Sequence, residues 1–229
     1  MLFTFHPMDY LIIVAFLLSM WASFRVRGTF KRWSQAPIQS RITGAEAARR
    51  MLDHNNLHHI PIEVVRGSLS DHYDPIAKVV RLSEPVYYES SIAAVSVACH
   101  EVGHAIQHLV HYPMLTLRHR MFPVVSFASR TAPFLIIAGF LFQQIPYLLL
   151  LGIIFFSAAV LFQLVTLPVE FNASSRARKL MIAEGFITNQ EERGAAKVLN
   201  AAALTYVAAA IISILELLKY IMIFNNRRS

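Results

Sequence analysis

The chain has 229 residues, of which 55% are hydrophobic and 15% charged; Lys and Arg outnumber Asp and Glu by 21 to 14, for a formal net charge of +7. A soluble domain carries about 25% charged residues, so this composition argues against a purely soluble protein and excludes a disordered chain and a collagen-like repeat, while one cysteine, Cys99, excludes an intrachain disulfide. No Lys/Arg run interleaved with aromatics points to nucleic acid.

The uncharged residues come in runs. Asp9 and Arg25 bracket fifteen of them, Arg130 and Glu170 thirty-nine, and Lys197 and Glu216 eighteen. A bilayer core needs about twenty apolar helical residues to cross it. The sequence predicts a first span over residues 8–24, which lacks a cleavage site and reads as a retained anchor. A polar region, 25–121, follows. The thirty-nine-residue run is too long for one crossing, and Gln143-Gln144-Ile145-Pro146 offers a turn, so 122–167 is read as two spans in a hairpin. A short polar segment, 168–198, precedes a fourth span over 199–224, inside which Glu216 and Lys219 form an i,i+3 pair of opposite sign. Arg25, Arg27, Lys31 and Arg32 directly after the first span favour the cytoplasmic side for both polar segments. Four spans then leave Arg227 and Arg228 on the disfavoured side.

Within the first polar region, Thr43-Gly44-Ala45-Glu46 resembles a capped start for a helix running to about His54. Ile62–Arg66 alternates at period two and Ala77–Ser83 is β-branched; the two are read as a β-hairpin around a long Ser70–Pro75 loop. From Ser91 the texture is helical to about His111 and Tyr112, before Pro113.

That helix carries His100-Glu101-Val102-Gly103-His104. Positions i and i+4 project from one helix face, so two imidazoles converge on one Zn²⁺, and Glu101 reaches a water there without being a ligand. His108 extends the row, but i, i+4 and i+8 spread over about 12 Å of axis, too far for a shared ion. It reads as a helix-surface or supporting residue. The third ligand comes from elsewhere, and Glu170, at the end of the longest apolar run, is the outstanding candidate. Two readings stay open for it: a metal ligand, or a helix N-terminal acid after Pro168.

The context Ala98–Gln107, with Leu69–Pro75 upstream and Pro168–Ser174 downstream, resembles the YugP-type membrane zinc metallopeptidases of bacteria over nearly the whole chain. It is more distantly similar to HtpX-type and prenyl-protein membrane proteases, whose downstream motif is Glu-x-x-Ala-Asp. The resemblance implies a mainly α membrane protein of about four transmembrane helices with a small α+β zincin-like cytoplasmic domain carrying the HExxH helix. It implies Zn²⁺ on His100, His104 and Glu170, a gluzincin-like set, in the bacterial plasma membrane, with a role in membrane protein quality control. Ser174 stands where those relatives have Asp, so the hydrogen bond that Asp supplies must be absent or come from elsewhere.

The expected activity is zinc-dependent endopeptidase cleavage of a membrane or membrane-associated polypeptide, with Glu101 as general base. His72 or Tyr73 is a candidate oxyanion donor. Val79, Val80, Arg81 and Leu82 are expected to form an edge strand along which substrate lies, the competing reading being a strand that merely closes a small sheet. The alternatives are a non-catalytic scaffold or chaperone stapled by zinc through four protein ligands, and a transporter using Glu170 and Glu216, which lacks paired broken helices. Substrate specificity and oligomeric state are not written in the sequence.

Overall fold

A computed structural model describes residues 7–227, with side chains from Asp9 onward. In chain order the elements are α1 (Pro7–Ser34), α2 (Gly44–His54), β1 (Ile62–Val65), β2 (His72–Asp74), β3 (Val79–Ser83), α3 (Glu84–Tyr88), α4 (Ile92–Leu109), α5 (Pro113–Leu141), α6 (Pro146–Ala183) and α7 (Asn189–Asn226). The protein is mainly helical with one small three-stranded sheet, and α1, α5, α6 and α7 are long and apolar enough to cross a membrane. The helices overrun the expected spans. Apolar runs mark only the stretch that must meet lipid, whereas helical backbone bonding continues past it.

The chain divides into two compact units. One contains residues 7–22, 116–168 and 205–227 of the described chain. Its helices bury little of their apolar windows against one another, leaving Phe127, Phe134 and Leu141 exposed, as lipid-facing helices do. α5 and α6 are joined by the short turn expected at Gln143–Pro146, and they approach closely because a Cβ on Gly139 or Gly152 would meet the facing backbone within 3.0 Å. Lys219, one turn from Glu216, donates to Asp9 of α1. Arg227 donates to the Gly139 carbonyl at 2.9 Å and lies over the Phe140 ring, so its charge is engaged at the α5 terminus. Arg228 lies outside the described residues.

The other unit comprises residues 23–115 and 169–204. α2 begins on a capping box: Thr43 Oγ1 accepts from the Glu46 N–H and Glu46 Oε2 from the Thr43 N–H. Its apolar face, with Met51 and Leu52 fully buried, joins Val80, Leu82, Val95, Cys99, Val102, Met181 and Leu199 in one core.

The sheet corrects the hairpin expectation. β1 and β3 pair in parallel, β2 pairs antiparallel with β3, and the order is β1-β3-β2. Alternation at period two marks a strand but carries no direction. β3 is therefore the middle strand, and Val79, Val80, Arg81 and Leu82 have no free edge to offer a substrate. Val79, Val80 and Leu82 are buried, and the Val80 N–H is given to the Pro61 carbonyl at 3.0 Å. The edge strands are β1 and β2. Because Val80 turns its peptide groups toward β1, its antiparallel partner Tyr73 turns its own outward from β3.

Candidate metal centre

α4 starts at Ser91, whose hydroxyl accepts from the Ala94 N–H at 3.2 Å. Ala98, Cys99, Val102 and Ile106 bury one side of it in the core, which turns His100 and His104 to the other. Facing them is α6. A Cβ at Gly103 would stand 2.8 Å from the Ala173 carbonyl oxygen, so glycine there lets the two backbones come together. The close approach brings Glu170, only 3% exposed, to the histidines.

His100 Nε2 and His104 Nε2 are 3.2 Å apart, and Glu170 Oε2 is 3.3 Å from the first and 3.6 Å from the second. Donors about 2.0–2.1 Å from one tetrahedral Zn²⁺ stand about 3.3–3.4 Å from each other. The triangle therefore has the edge lengths that one zinc ion requires, and two imidazoles with a carboxylate are the donor chemistry it takes. Burial opposes a charge on His104, yet the hydrogen bond to Glu170, the charges of Glu170 and Glu101 and the Gln107 contact together lift its pKa above the ordinary histidine value. The same field favours a cation. Glu170 lies far inside α6 and not at its N-terminus, which removes the helix-dipole reading.

The ring nitrogens turned away from the triangle are also held. With both Nε2 atoms at the triangle, His100 Nδ1 donates to Ser174 Oγ at 3.2 Å and His104 Nδ1 to Gln107 Oε1 at 3.0 Å. Gln107, fully buried, donates in turn to the Val169 carbonyl at 2.8 Å and to Asn172 Oδ1 at 3.0 Å, which also accepts from Arg176 Nε. Ser174 thus makes a hydrogen bond to His100 itself, where the sequence had left that bond either absent or supplied from elsewhere. Gln107, Asn172 and Arg176 escaped the sequence reading. Gln107 was legible in principle, at i+3 from His104 on the same face. Such supporting contacts are worth 10–100-fold in metal affinity. Ser174→Ala is expected to weaken zinc binding about tenfold, and Gln107→Leu, which also strands the Val169 and Asn172 acceptors, nearer a hundredfold. Competition against a fluorescent chelator reads both.

Glu101 is buried at 8% exposure and its Oε2 accepts the Tyr73 backbone N–H at 3.0 Å. His72 is exposed, and its Nδ1 lies 2.9 Å from the Ser70 carbonyl, which can only accept. Cys99 is fully buried, and burial pushes its thiol well above the usual cysteine range, so it supplies no thiolate. Among the described residues, His100, His104 and Glu170 are the one group of three or more potential metal donors that converge.

Comparison with known proteins points to the same metal, zinc, through the family it finds. Over 219 residues, 96% of this chain and 97% of the other, the sequence is 59% identical to the "Putative membrane protease YugP" of Bacillus subtilis (strain 168). No solved structure matches. Such a relative, together with four long apolar helices, makes this a membrane protein. The family described as "Putative neutral zinc metallopeptidase" matches residues 8–225, and the chain belongs to that family.

Proposed function

We propose that this protein is a membrane-embedded, zinc-dependent endopeptidase of the HExxH type, with His100, His104 and Glu170 holding the ion. The observation that carries this reading is the triangle of donor atoms at 3.2, 3.3 and 3.6 Å, with a buried carboxylate, Glu101, immediately beside it that is not one of its corners. Zinc held there supplies Lewis acidity, polarising a peptide carbonyl and lowering the pKa of water toward about 7.

The remaining chemistry belongs to the chain. Glu101 has one hydrogen bond among the described residues, at Oε2. Oε1 is left to take the proton of the attacking water and to pass it to the leaving amide nitrogen. The outward edge of β2 replaces β3 as the place for an extended substrate, with the Tyr73 carbonyl accepting a substrate N–H in the manner of strand addition. Glu170 follows the longest uncharged run by one residue. Polypeptides in or near the bilayer are accordingly the substrates that reach it, and the basic residues after the first span favour a cytoplasmic face in a bacterial plasma membrane.

A scaffold stapled by zinc would close the site with four protein donors, whereas three converge among the described residues. The test is cleavage of a quenched peptide or casein by the purified full chain in detergent. Loss with a chelator and recovery with Zn²⁺ is the expected result. A zinc-loaded, folded protein that cleaves neither overturns the peptidase reading.

A further inference from the structure

β2 is only three residues long, yet Tyr73 at its centre is tied to α4 at two points. Its backbone N–H holds Glu101 Oε2 at 3.0 Å, and its hydroxyl stands 2.9 Å from His108 Nδ1, the two rings meeting edge to face at 5.9 Å between centroids. Glu101 and His108 are seven residues apart, two helical turns on one face and about 10.5 Å along the axis. The side chain that the metal geometry leaves unused is thus attached, through one tyrosine, to the side chain that the chemistry needs most.

We infer that His108 and Tyr73 are positioning residues for Glu101: the Tyr73–His108 hydrogen bond pins β2 against α4, and the pinned Tyr73 N–H fixes the Glu101 carboxylate with Oε1 free. This rests on the peptidase reading of the site. The polarity of the pair is consistent. Burial, and then the neighbouring Asp74 charge, pushes the Tyr73 phenol up to about 12, so it stays a donor. Burial, and then Lys78 and His111, holds His108 below its ordinary value, so Nδ1 stays an acceptor. Asp71, beside the strand, accepts from the Ser83 N–H and Asp74 pairs with Arg81, which anchors β2 to β3, and the Tyr73–His108 bond sets its centre against α4 with the Tyr73 N–H aimed at Glu101.

The experiment uses the full chain with zinc loaded and compares Tyr73→Phe, His108→Ala, the double variant and His108→Gln, whose amide oxygen accepts the same hydroxyl. Each single loss is expected to lower kcat about tenfold with KM within about twofold and zinc content unchanged. The double variant is expected to be no slower than either single one, and His108→Gln to recover most of the rate. Hydrogen exchange at the residue-73 amide is expected to quicken about tenfold in Tyr73→Phe and His108→Ala and to return in His108→Gln. Additive rate losses, a change confined to KM, or wild-type rates in both single variants overturn the inference. Should the wild-type protein cleave nothing, the peptidase reading is at fault, and the amide exchange alone decides: unchanged exchange in both variants overturns the clamp.

Discussion

Glu101→Gln protein is expected to retain a full complement of zinc and to lose turnover by at least about a thousandfold, the upper range for a general base. Gln has the shape of Glu, and its amide oxygen still accepts the Tyr73 N–H that Oε2 now holds at 3.0 Å. The site geometry therefore survives. What disappears is the carboxylate beside the donor triangle that takes the proton. Glu101 is no corner of that triangle, so metal content has no reason to fall. Zinc analysis and peptide turnover on the same sample separate the two effects. Near wild-type turnover by pure Glu101→Gln protein would remove Glu101 from the mechanism.

Glu170→Gln has the opposite signature, losing the metal first. Structural Zn²⁺ sites bind with roughly 10–16 kcal/mol, so one charged ligand among a few accounts for a loss on the order of a hundred- to a thousandfold in affinity. The carboxylate is almost wholly buried between two imidazoles, and it is one of the groups that lift the His104 pKa. A neutral amide there keeps the packing and removes the attraction. Activity is expected to track zinc occupancy, low at limiting Zn²⁺ and partly restored in excess. Unchanged zinc affinity in Glu170→Gln would exclude Glu170 as a ligand.

The legible parts of this protein are those whose signals are local or leave no alternative. Thirty-nine uncharged residues are too many for one crossing, and the turn that joins α5 to α6 at Gln143–Pro146 follows from where the polar residues sit. The HExxH spacing fixes the relation of His100 to His104 because helical geometry does. Glu170, sixty-six residues beyond His104, was reachable as a charge that apolar surroundings make costly, and chosen through family resemblance.

Direction and long-range partnership were not legible. The β1–β3 pairing is parallel, and β2 is a His-Tyr-Asp triplet with no apolar alternation to announce it. That is why the expected edge strand turned out to be the central one. That Ser174 itself supplies a bond to His100 was not legible, because side-chain reach depends on the close backbone approach at Gly103, which sequence does not display. Lys219 pairs with Asp9 across 210 residues, whereas helical spacing pointed to Glu216.

The central claim is that His100, His104 and Glu170 hold one zinc ion. X-ray absorption at the zinc edge of the loaded full chain tests it most directly. The account predicts two imidazoles and oxygen donors at about 2.0–2.1 Å, with no sulfur shell. A sulfur at about 2.3 Å, or a third imidazole, would contradict it.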